Sequence, residues 1–366
     1  MVAQVIVIGA GVYGAAVAAE LARRGAGVTV VDAGPPAGGT SGATFSWTNS
    51  SGKQPREYHD LNVAAMRAHR QLAREVPNCD WYHQGGNLEW GGDDREREQL
   101  HRKVAALLEY GYEARWLTRA EVRRLEPDMS PEEIPTDDIA YFPQEGWIEP
   151  IRLIGHLLST VDGERIWGDA VTGIDVAGAR VRSVRLASGR QLSADAVVNC
   201  AGPQGAGVAA LAGLDLPMRN TRGVLIYTSP VAVAVSRVVH APHVHLRPDG
   251  GGRLLLHTHD IDGAAQVSDT GEISVEPAAV DKVVDAGCGL YPGIRAASVE
   301  SVRVGERPIP ADGLPVLGRA PALPNFHFAV SHSGATLSVH AGALVAAEVL
   351  GEDHSGELAP FRFERF

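Results

Sequence analysis

Three glycines near the N-terminus, Gly9, Gly11 and Gly14, have the spacing Gly-x-Gly-x-x-Gly. They follow the apolar run 4–8, and a second apolar run ends at Asp32. Glycines at this spacing allow a tight turn in which the backbone approaches a pyrophosphate, and the acid accepts hydrogen bonds from a ribose. The pattern therefore predicts a dinucleotide-binding turn. Because no arginine follows Asp32 directly, the pattern argues against a 2′-phosphate, as in NADP.

The surrounding pattern predicts that this turn joins a strand to a helix over residues 15–24. A loop rich in glycine, serine and threonine then occupies residues 38–53. A simple NAD dehydrogenase would continue with alternating strands and helices, whereas this chain continues with a long helical insertion. The remaining predicted elements are helices at 57–76, 93–110, 151–161 and 335–350, strands at 170–176, 180–186 and 194–199, a strand-rich region at 223–273, and a polar, proline-containing segment at 125–150.

Length, composition and charge limit the class of function. A chain of 366 residues with 45% hydrophobic residues can form two domains, each with its own core. The net charge of −11, without a basic run, argues against nucleic acid and anionic membranes as partners. No apolar stretch is long enough to span a bilayer, and no signal-peptide pattern precedes the first strand. The three cysteines are too widely spaced for a disulfide framework or a zinc site, so we expect a soluble enzyme of the cytoplasm.

The last predicted helix suggests a second ligand-facing helix N-terminus. It opens at Ser333 and Gly334, and either Ser331 or Ser333 is expected to cap it. A positive helix end suits the anionic N1 and O2 region of a reduced flavin, so this arrangement favours a flavin over a nicotinamide. The alternative is that Gly334 only begins an ordinary terminal helix, and this feature alone leaves both interpretations open.

The sequence resembles the FAD-dependent D-amino-acid oxidase superfamily, which includes glycine oxidase, sarcosine oxidase and amino-acid dehydrogenases. The resemblance covers essentially the whole chain and depends on the order of its motifs rather than on any one of them. The motifs are residues 9–32, Thr40-Ser41-Gly42, residues 144–150, residues 170–174, residues 199–203, Arg307-Pro308, residues 312–318 and residues 332–337.

The resemblance implies an α/β fold class with a Rossmann-like FAD-binding domain. An interleaved α+β substrate domain is expected on a largely antiparallel sheet. The implied FAD-binding domain consists of residues 1–56, 151–221 and 301–366, and the implied substrate domain consists of residues 57–150 and 222–300.

The fingerprint and the resemblance together imply the FAD contacts. Some relatives attach FAD through a cysteine or a histidine, but residues 302–310 contain no cysteine and residues 43–49 contain no histidine. We therefore expect non-covalent FAD. The expected cofactor-binding residues are Gly9, Ala10, Gly11, Val12, Tyr13, Gly14, Asp32, Ala33, Thr40, Ser41, Gly42, Thr44, Ser46, Val171, Ala201, Gly202, Gly334, Ala335, Thr336 and Leu337.

Arg307 is the first candidate for binding a substrate carboxylate. A guanidinium matches a carboxylate with two parallel hydrogen bonds, and Arg307 corresponds to the carboxylate-binding arginine of glycine oxidase and D-amino-acid oxidase. The alternative is an arginine in a structural salt bridge. Arg222, Arg247 and Arg253 are the reserve candidates.

Lys53 is the second candidate, because it ends the glycine-rich loop on the expected flavin side and is one of only three lysines. A cation there would stabilise negative charge that develops on flavin and on reduced oxygen, whereas the alternative is a solvated loop lysine.

His245 is the third candidate, in a strand region with two His-x-His pairs, His243 with His245 and His257 with His259. Each pair shares a strand face. We expect no metal site, because no carboxylate or cysteine cluster completes one in sequence, and the face either lines the substrate pocket or is an ordinary polar face.

Relatives with a tyrosine in this region use its hydroxyl to hold the substrate, and residues 231–289 contain no tyrosine. That departure argues against a standard small D-amino acid.

The predicted function is oxidation of a C–N bond of an amino acid or N-substituted amino acid to an imine, by hydride transfer to flavin N5. The expected partners are a small amine or amino-acid substrate and a reoxidant, either O2 or an electron carrier. Two alternatives remain open, an FAD-dependent 2-hydroxy-acid dehydrogenase and a flavoprotein subunit that needs a partner.

Overall fold

A computed structural model of the chain describes residues 2–268 and 273–366. In chain order its α-helices are α1 (Val12–Arg23), α2 (Arg56–Glu75), α3 (Asp94–Glu109), α4 (Arg119–Leu125), α5 (Pro150–Ser159), α6 (Gly205–Leu211), α7 (His259–Asp262), α8 (Pro277–Leu290), α9 (Gly334–Val349) and α10 (Ser355–Leu358).

The strands are β1 (Gln4–Ile8), β2 (Gly27–Asp32), β3 (Trp47–Thr48), β4 (Tyr82–His83), β5 (Asn87–Glu89), β6 (Arg115–Leu117), β7 (Ile139–Phe142), β8 (Gly146–Ile148), β9 (Glu164–Trp167), β10 (Val171–Val176), β11 (Val181–Leu186), β12 (Gln191–Ser193), β13 (Ala196–Asn199), β14 (Thr221–Thr228), β15 (Val238–Ala241), β16 (Val244–Pro248), β17 (Leu254–His257), β18 (Ala265–Val267), β19 (Ile273–Val275), β20 (Val299–Arg307), β21 (Val316–Ala320) and β22 (Leu323–Val330).

A six-stranded sheet carries the glycine-rich turn and has the strand order β21-β22-β13-β1-β2-β9. The strands from β22 to β9 are parallel, and β21 pairs antiparallel with β22 at one edge. Residues 5–8 are buried and apolar in succession, as expected for a parallel strand covered on both faces. Helix α1 follows β1 directly, so the turn lies at the carboxyl end of the sheet, where open α/β sheets bind ligands.

An eight-stranded sheet lies beside it in the order β20-β14-β17-β16-β15-β5-β7-β6. Its pairs are antiparallel except for β15 with β5. Leu246 and Leu256 on one face pack in a core cluster with Val283 of α8. Because side chains alternate along a strand, His245 and His257 occupy the opposite face. The predicted fold class, a Rossmann-like α/β part with an interleaved and largely antiparallel sheet, is confirmed.

Most of the predicted elements are confirmed, and the structure adds several helices and strands that were not predicted, among them α4, α6, β9 and β20 to β22. Helices α2, α3, α5 and α9 begin and end within two residues of the predicted bounds. The segment 125–150, predicted only as polar, contains β7 and β8 because residues 139–142 pair with neighbouring strands on both sides. The short helix α7 interrupts the predicted strand-rich region, and α8 was not predicted. No helix within residues 2–268 and 273–366 has the length and apolarity needed to cross a membrane.

Helices α1 and α9 pack closely because small residues face each other. A Cβ on Gly342 of α9 would lie 2.9 Å from the Cβ of Ala16 on α1. At the start of α1, a Cβ on Gly14 would overlap the carbonyl of Gly9, so only glycine allows the helix to approach the turn this closely. The positions of both helix N-termini therefore depend on these small residues.

We expect Gly14→Ala to lower the free energy of unfolding by about 1–3 kcal/mol, because the added methyl group overlaps the Gly9 carbonyl and forces the backbone to shift. Gly155→Ala in α5 is the matched control, since its added Cβ would have no neighbour within 4 Å. Alanine should stabilise that helix by up to about 1 kcal/mol. Chemical denaturation of the two variants measures the difference, and an equal effect at both positions would contradict the packing argument.

Candidate functional site

Two adjoining cavities lie between the carboxyl ends of the parallel strands and the eight-stranded sheet. The first has a volume of about 570 Å³ and includes the glycine-rich turn in its wall. The second has a volume of about 890 Å³ and has the cavity-side face of the eight-stranded sheet in its wall. The two cavities share wall residues, so a long ligand can pass from one to the other. The shared residues are Thr40, Ala43, Thr44, Gly305, Pro308, His332 and Ala335.

The glycine-rich turn is stabilised by the carboxylate of Asp32. Its Oδ2 accepts a hydrogen bond of 2.6 Å from the amide of Ala10, and its Oδ1 accepts one of 2.8 Å from the amide of Gly34. Gly9 has φ +107°, a conformation that favours glycine. These bonds hold the carboxylate at the wall of the first cavity, beside the start of α1.

The structure brings most of the predicted cofactor residues to one cavity. The first cavity is lined by Gly9, Gly11, Val12, Tyr13, Asp32, Ala33, Thr40, Ser41, Thr44, Val171, Ala201, Gly202, Gly334 and Ala335. Ser46 and Thr336 line the second cavity. Ala10, Gly14, Gly42 and Leu337 line neither. Leu337 is fully buried in the core between α1 and α9, and Gly14 is packed against the turn.

The segment before α9 is fixed by two buried tyrosines rather than by a serine cap. Ser333 occupies the N-cap position, but its side chain makes no capping hydrogen bond, so the predicted cap is wrong. The Ser333 hydroxyl instead lies 2.6 Å from the hydroxyl of Tyr58, and the Ser331 hydroxyl lies 2.8 Å from that of Tyr13. The N-terminal amides of α9 are therefore not occupied by a serine side chain.

A buried carboxylate, Glu145, organises the loop between β3 and α2. It accepts hydrogen bonds from the indole of Trp47 at 3.0 Å, the amide of Ser51 at 3.1 Å and the hydroxyl of Tyr112 at 2.8 Å. Burial raises the pKa of Glu145, although its hydrogen bonds act in the opposite direction. Glu145 was not predicted as a site residue, because its partners come from two segments that are far from it in sequence.

Lys53 lies in this loop and faces the second cavity. Its ammonium lies 5.6 Å from the centre of the Tyr58 ring, and no carboxylate in the described residues forms an ion pair with it. Burial lowers the pKa of Lys53 to about 8, and Lys103 adds to the effect while Glu145 opposes it. Lys53 is thus a cation that begins to lose its proton near neutral pH.

Arg307 also lines the second cavity, but it already has a partner. Its Nη1 lies 2.8 Å from Oδ2 of Asp262 and donates a hydrogen bond of 2.6 Å to the carbonyl of Arg222. About 23% of its side chain is exposed, so part of the guanidinium faces the cavity. The pairing of Arg307 with Asp262 was not predicted, although Asp262 follows the histidines His257 and His259 closely in sequence.

None of the reserve arginines lines either cavity. Arg247 is fully buried, donates to the carbonyl of Phe45 at 2.6 Å and pairs with Asp249 at 3.1 Å. Arg253 forms an exposed pair with Glu300. The side chain of Arg222 is exposed and lines neither cavity.

His245 lies in the wall of the second cavity together with His240, His257, His259 and His332. Burial and the neighbouring histidines lower the pKa of His245 to about 3. Burial lowers the pKa of His332 to about 4, with Lys53 and Arg307 acting in the same direction. These imidazoles are therefore neutral at pH 7. His332 was missed, although its position two residues before Gly334 was a signal.

The predicted pairing of histidines on strand faces is wrong for both pairs, because His259 begins α7 and is not a strand residue, although His257 and His259 both line the second cavity. His243 lies outside β16 and is exposed, so it does not share a wall with His245. His257 and His259 approach Asp262, with one potential ligand atom from each within 4.8 Å of the others. However, Asp262 pairs with Arg307, and Nδ1 of His257 lies 2.9 Å from the Val224 carbonyl. A positive guanidinium beside these groups opposes the binding of a metal cation.

Comparison with known proteins identifies the family. The family model described as FAD dependent oxidoreductase (DAO) matches residues 4–348. Glycine oxidase of Geobacillus kaustophilus (strain HTA426) is 26% identical over 373 residues, which cover 99% of this chain and 96% of that protein. The hydrogen cyanide synthase subunit HcnC of Pseudomonas aeruginosa is 24% identical over 409 residues, which cover 99% of this chain and 96% of that protein.

A solved structure shares the fold over its whole length. The crystal structure of glycine oxidase from Geobacillus kaustophilus has a TM-score of 0.85 and 24% identity, and the match covers 100% of this chain and 99% of that chain. The predicted family and cofactor are thus confirmed. Because the family model spans nearly the whole chain, this chain belongs to the FAD dependent oxidoreductase (DAO) family and is an oxidoreductase that uses FAD.

Proposed function

We propose that this chain oxidises the C–N bond of an amino acid or N-substituted amino acid to an imine. The observation that carries the proposal is the position of Arg307, a half-buried guanidinium in the wall of a large cavity that adjoins the cavity of the glycine-rich turn. An arginine in such a place suits a carboxylate. The similarity to a glycine oxidase over 99% of this chain supports an amino-acid substrate.

The residues of the first cavity suit an FAD held without a covalent bond. The backbone of Gly9 and Gly11 would face the pyrophosphate, and Asp32 would accept hydrogen bonds from the adenosine ribose. Gly334 and Ala335 at the start of α9 would face the flavin end, where Ser333 leaves the helix amides without a side-chain cap. When bound, FAD supplies the acceptor for the hydride that leaves the substrate.

We also propose that the two functions belong to interleaved domains, residues 1–56, 151–221 and 301–366 for FAD and residues 57–150 and 222–300 for substrate. All strands of the six-stranded sheet lie in the first three ranges, which supports the division. Strands β14 and β20 belong to the other sheet and lie across the proposed boundaries, so the boundaries fall within a shared sheet edge.

Arg307 would hold the substrate carboxylate and so orient the α C–H bond. That bond breaks as its hydrogen leaves with the electron pair, and the nitrogen lone pair forms the C=N bond of an iminium ion, which becomes the imine when its nitrogen loses a proton. The nitrogen must therefore be unprotonated, and two nearby cations, Lys53 and Arg307, disfavour a substrate ammonium. The neutral imidazole of His332, which lies in the wall shared by the two cavities, can accept a hydrogen bond from the amine without adding charge.

Anaerobic bleaching of the bound flavin tests this function. A panel of D-, L-, N-methyl and cyclic amino acids, with 2-hydroxy acids as the comparison, should bleach the flavin only with amines. Release of all flavin as FAD on denaturation would confirm non-covalent binding. Bleaching by 2-hydroxy acids alone would replace the proposal by oxidation of a C–O bond. If no compound bleaches the flavin of the isolated chain, the chain needs a partner and the proposal fails.

Arg307→Ala should lower kcat/KM for an amino acid by roughly 30-fold to several thousand-fold, because loss of a desolvated charge pair costs about 2–5 kcal/mol. Arg307→Lys should recover only part of the loss, since an ammonium lacks the planar fork. Arg253→Ala, which removes an exposed ion pair with Glu300, is the control and should change kcat/KM little. The measurement compares kcat/KM for each amino acid with kcat/KM for its ester in wild type and in each variant. An alanine variant that prefers the acid as strongly as wild type would place the carboxylate elsewhere.

We expect the rate of flavin reoxidation by O2 to fall as the pH rises through about 8, because Lys53 then loses the charge that stabilises reduced oxygen. In Lys53→Met, flavin reoxidation by O2 should be about 10²-fold slower than in wild type at low pH, and its rate should not fall as the pH rises through about 8. Lys282→Met changes an exposed lysine on α8 and should behave like wild type. A wild-type profile without a step near pH 8 would remove Lys53 from the oxygen reaction.

The same pKa shift has a consequence for stability. The folded chain binds fewer protons at Lys53 than the unfolded chain between pH 8 and the ordinary lysine value of 10.5. The free energy of unfolding of wild type should therefore rise across that window relative to Lys53→Met.

A further inference from the structure

Three histidines and a glutamate form one row across four adjacent strands. His257 of β17 is opposite His245 of β16, His245 is opposite His240 of β15, and His240 is opposite Glu89 of β5. Directly opposite residues share a sheet face, and all four line the second cavity. With strands about 4.8 Å apart, the row is about 14 Å long.

The row has an ion pair at each end. At the His257 end, Asp262 lies 3.7 Å from Nδ1 of His257 and pairs with Arg307. At the other end, Glu89 pairs with Lys103 at 2.7 Å. The floor between these pairs consists of imidazole rings whose centres are 5.7 Å and 4.6 Å apart. A ligand anchored at Arg307 could therefore lie along the histidines toward Glu89.

The imidazoles of the row retain free hydrogen-bonding capacity. Nδ1 of His240 lies 2.8 Å from the amide oxygen of Asn87, which leaves its other nitrogen free. Neither ring nitrogen of His245 has a hydrogen-bond partner among the residues that the structure describes. Burial keeps the pKa of His240 well below its usual range, as it does for His245.

A neutral imidazole offers one donor and one acceptor, as a hydroxyl or an amide does. A neutral imidazole carries no charge that could form an ion pair with a carboxylate or an ammonium. Beside the row, the indole of Trp47 lies 4.2 Å from the ring of His240, centre to centre, and Phe45 lies 5.8 Å from it. Aromatic walls over a neutral hydrogen-bonding floor suit a chain of carbons that carries uncharged polar groups.

We infer, on the basis of the proposed function, that the row His257–His245–His240 binds the part of an elongated substrate remote from its carboxylate. The substrate class is an amino acid whose nitrogen or side chain carries a chain of uncharged hydrogen-bonding groups, such as hydroxyls or amides. A length of about 14 Å corresponds to about four extended residues, so glycine would occupy only the Arg307 end. His240 and His245 are then residues that determine specificity.

Two N-substituted glycines of equal chain length test the inference. One carries a pentahydroxyhexyl chain and the other a hexyl chain. The FAD-loaded wild type should favour the hydroxylated substrate in kcat/KM. His245→Leu should lower that preference by about two- to tenfold, the effect of losing one neutral hydrogen bond. His245→Asn, which retains a donor and an acceptor, should recover part of it, and His243→Leu, outside the cavity, should leave the preference unchanged.

The outcomes separate this inference from the proposed function. Turnover of glycine or N-hexylglycine by wild type as efficient as that of the hydroxylated substrate would overturn the inference and leave the function in place. That comparison needs no variant, so it holds even if His245→Leu fails to fold. An equal loss for both substrates in His245→Leu would also overturn the inference, because it would mark a structural role. If no amine bleaches the flavin, the proposed function itself fails.

Discussion

The close packing of α1 against α9 is the constraint on which both cavities depend. The N-termini of these helices come from opposite ends of the chain, at Val12 and Gly334. A Cβ on Gly334 would lie 3.3 Å from a methyl group of Val12, so the two helix starts are in near contact. The hydrogen bond between Tyr13 and Ser331 fixes their relative position. Two positive helix ends therefore face one cavity, an arrangement suited to a ligand with negative charge at both positions.

The polar groups around the second cavity are arranged so that its cations are only partly neutralised. Glu145, the carboxylate that opposes the lowering of the Lys53 pKa, is occupied by hydrogen bonds from Trp47, Ser51 and Tyr112. Asp262 pairs with Arg307, while Lys53 has no ion-pair partner in the described part of the chain. Both cations act on His332, which lies in the wall shared with the first cavity, and lower its pKa. This distribution favours an anionic substrate with a neutral amine, which is the form that the proposed reaction requires.

The features that could be predicted from the sequence are those determined by local spacing. The turn at Gly9 and the start of α9 at Gly334 follow from short patterns, and both lie in the wall of the first cavity. The partners of Arg307 and the row of histidines could not be predicted in this way. A spacing of two predicts one strand face for His257 and His259, but His259 begins α7, and the neighbours of a strand depend on register between residues that are far apart in sequence. Asp262 approaches Arg307 only because β14 pairs with β20.

The ion pair between Asp262 and Arg307 connects substrate binding with substrate size. A carboxylate that binds Arg307 must compete with Asp262, whose Oδ1 also accepts a hydrogen bond of 2.8 Å from the amide of Val224 and so is held in place. The free energy gained when the substrate carboxylate pairs with Arg307 is therefore reduced by the loss of the ion pair between Asp262 and Arg307. A small substrate has no further contacts to offset this cost. A longer substrate that also bonds to His245 and His240 gains free energy from groups remote from the reacting carbon, and such remote contacts can hold the carboxylate against Asp262. In the proposed function, competition between Asp262 and the substrate carboxylate for Arg307 would therefore favour an elongated substrate.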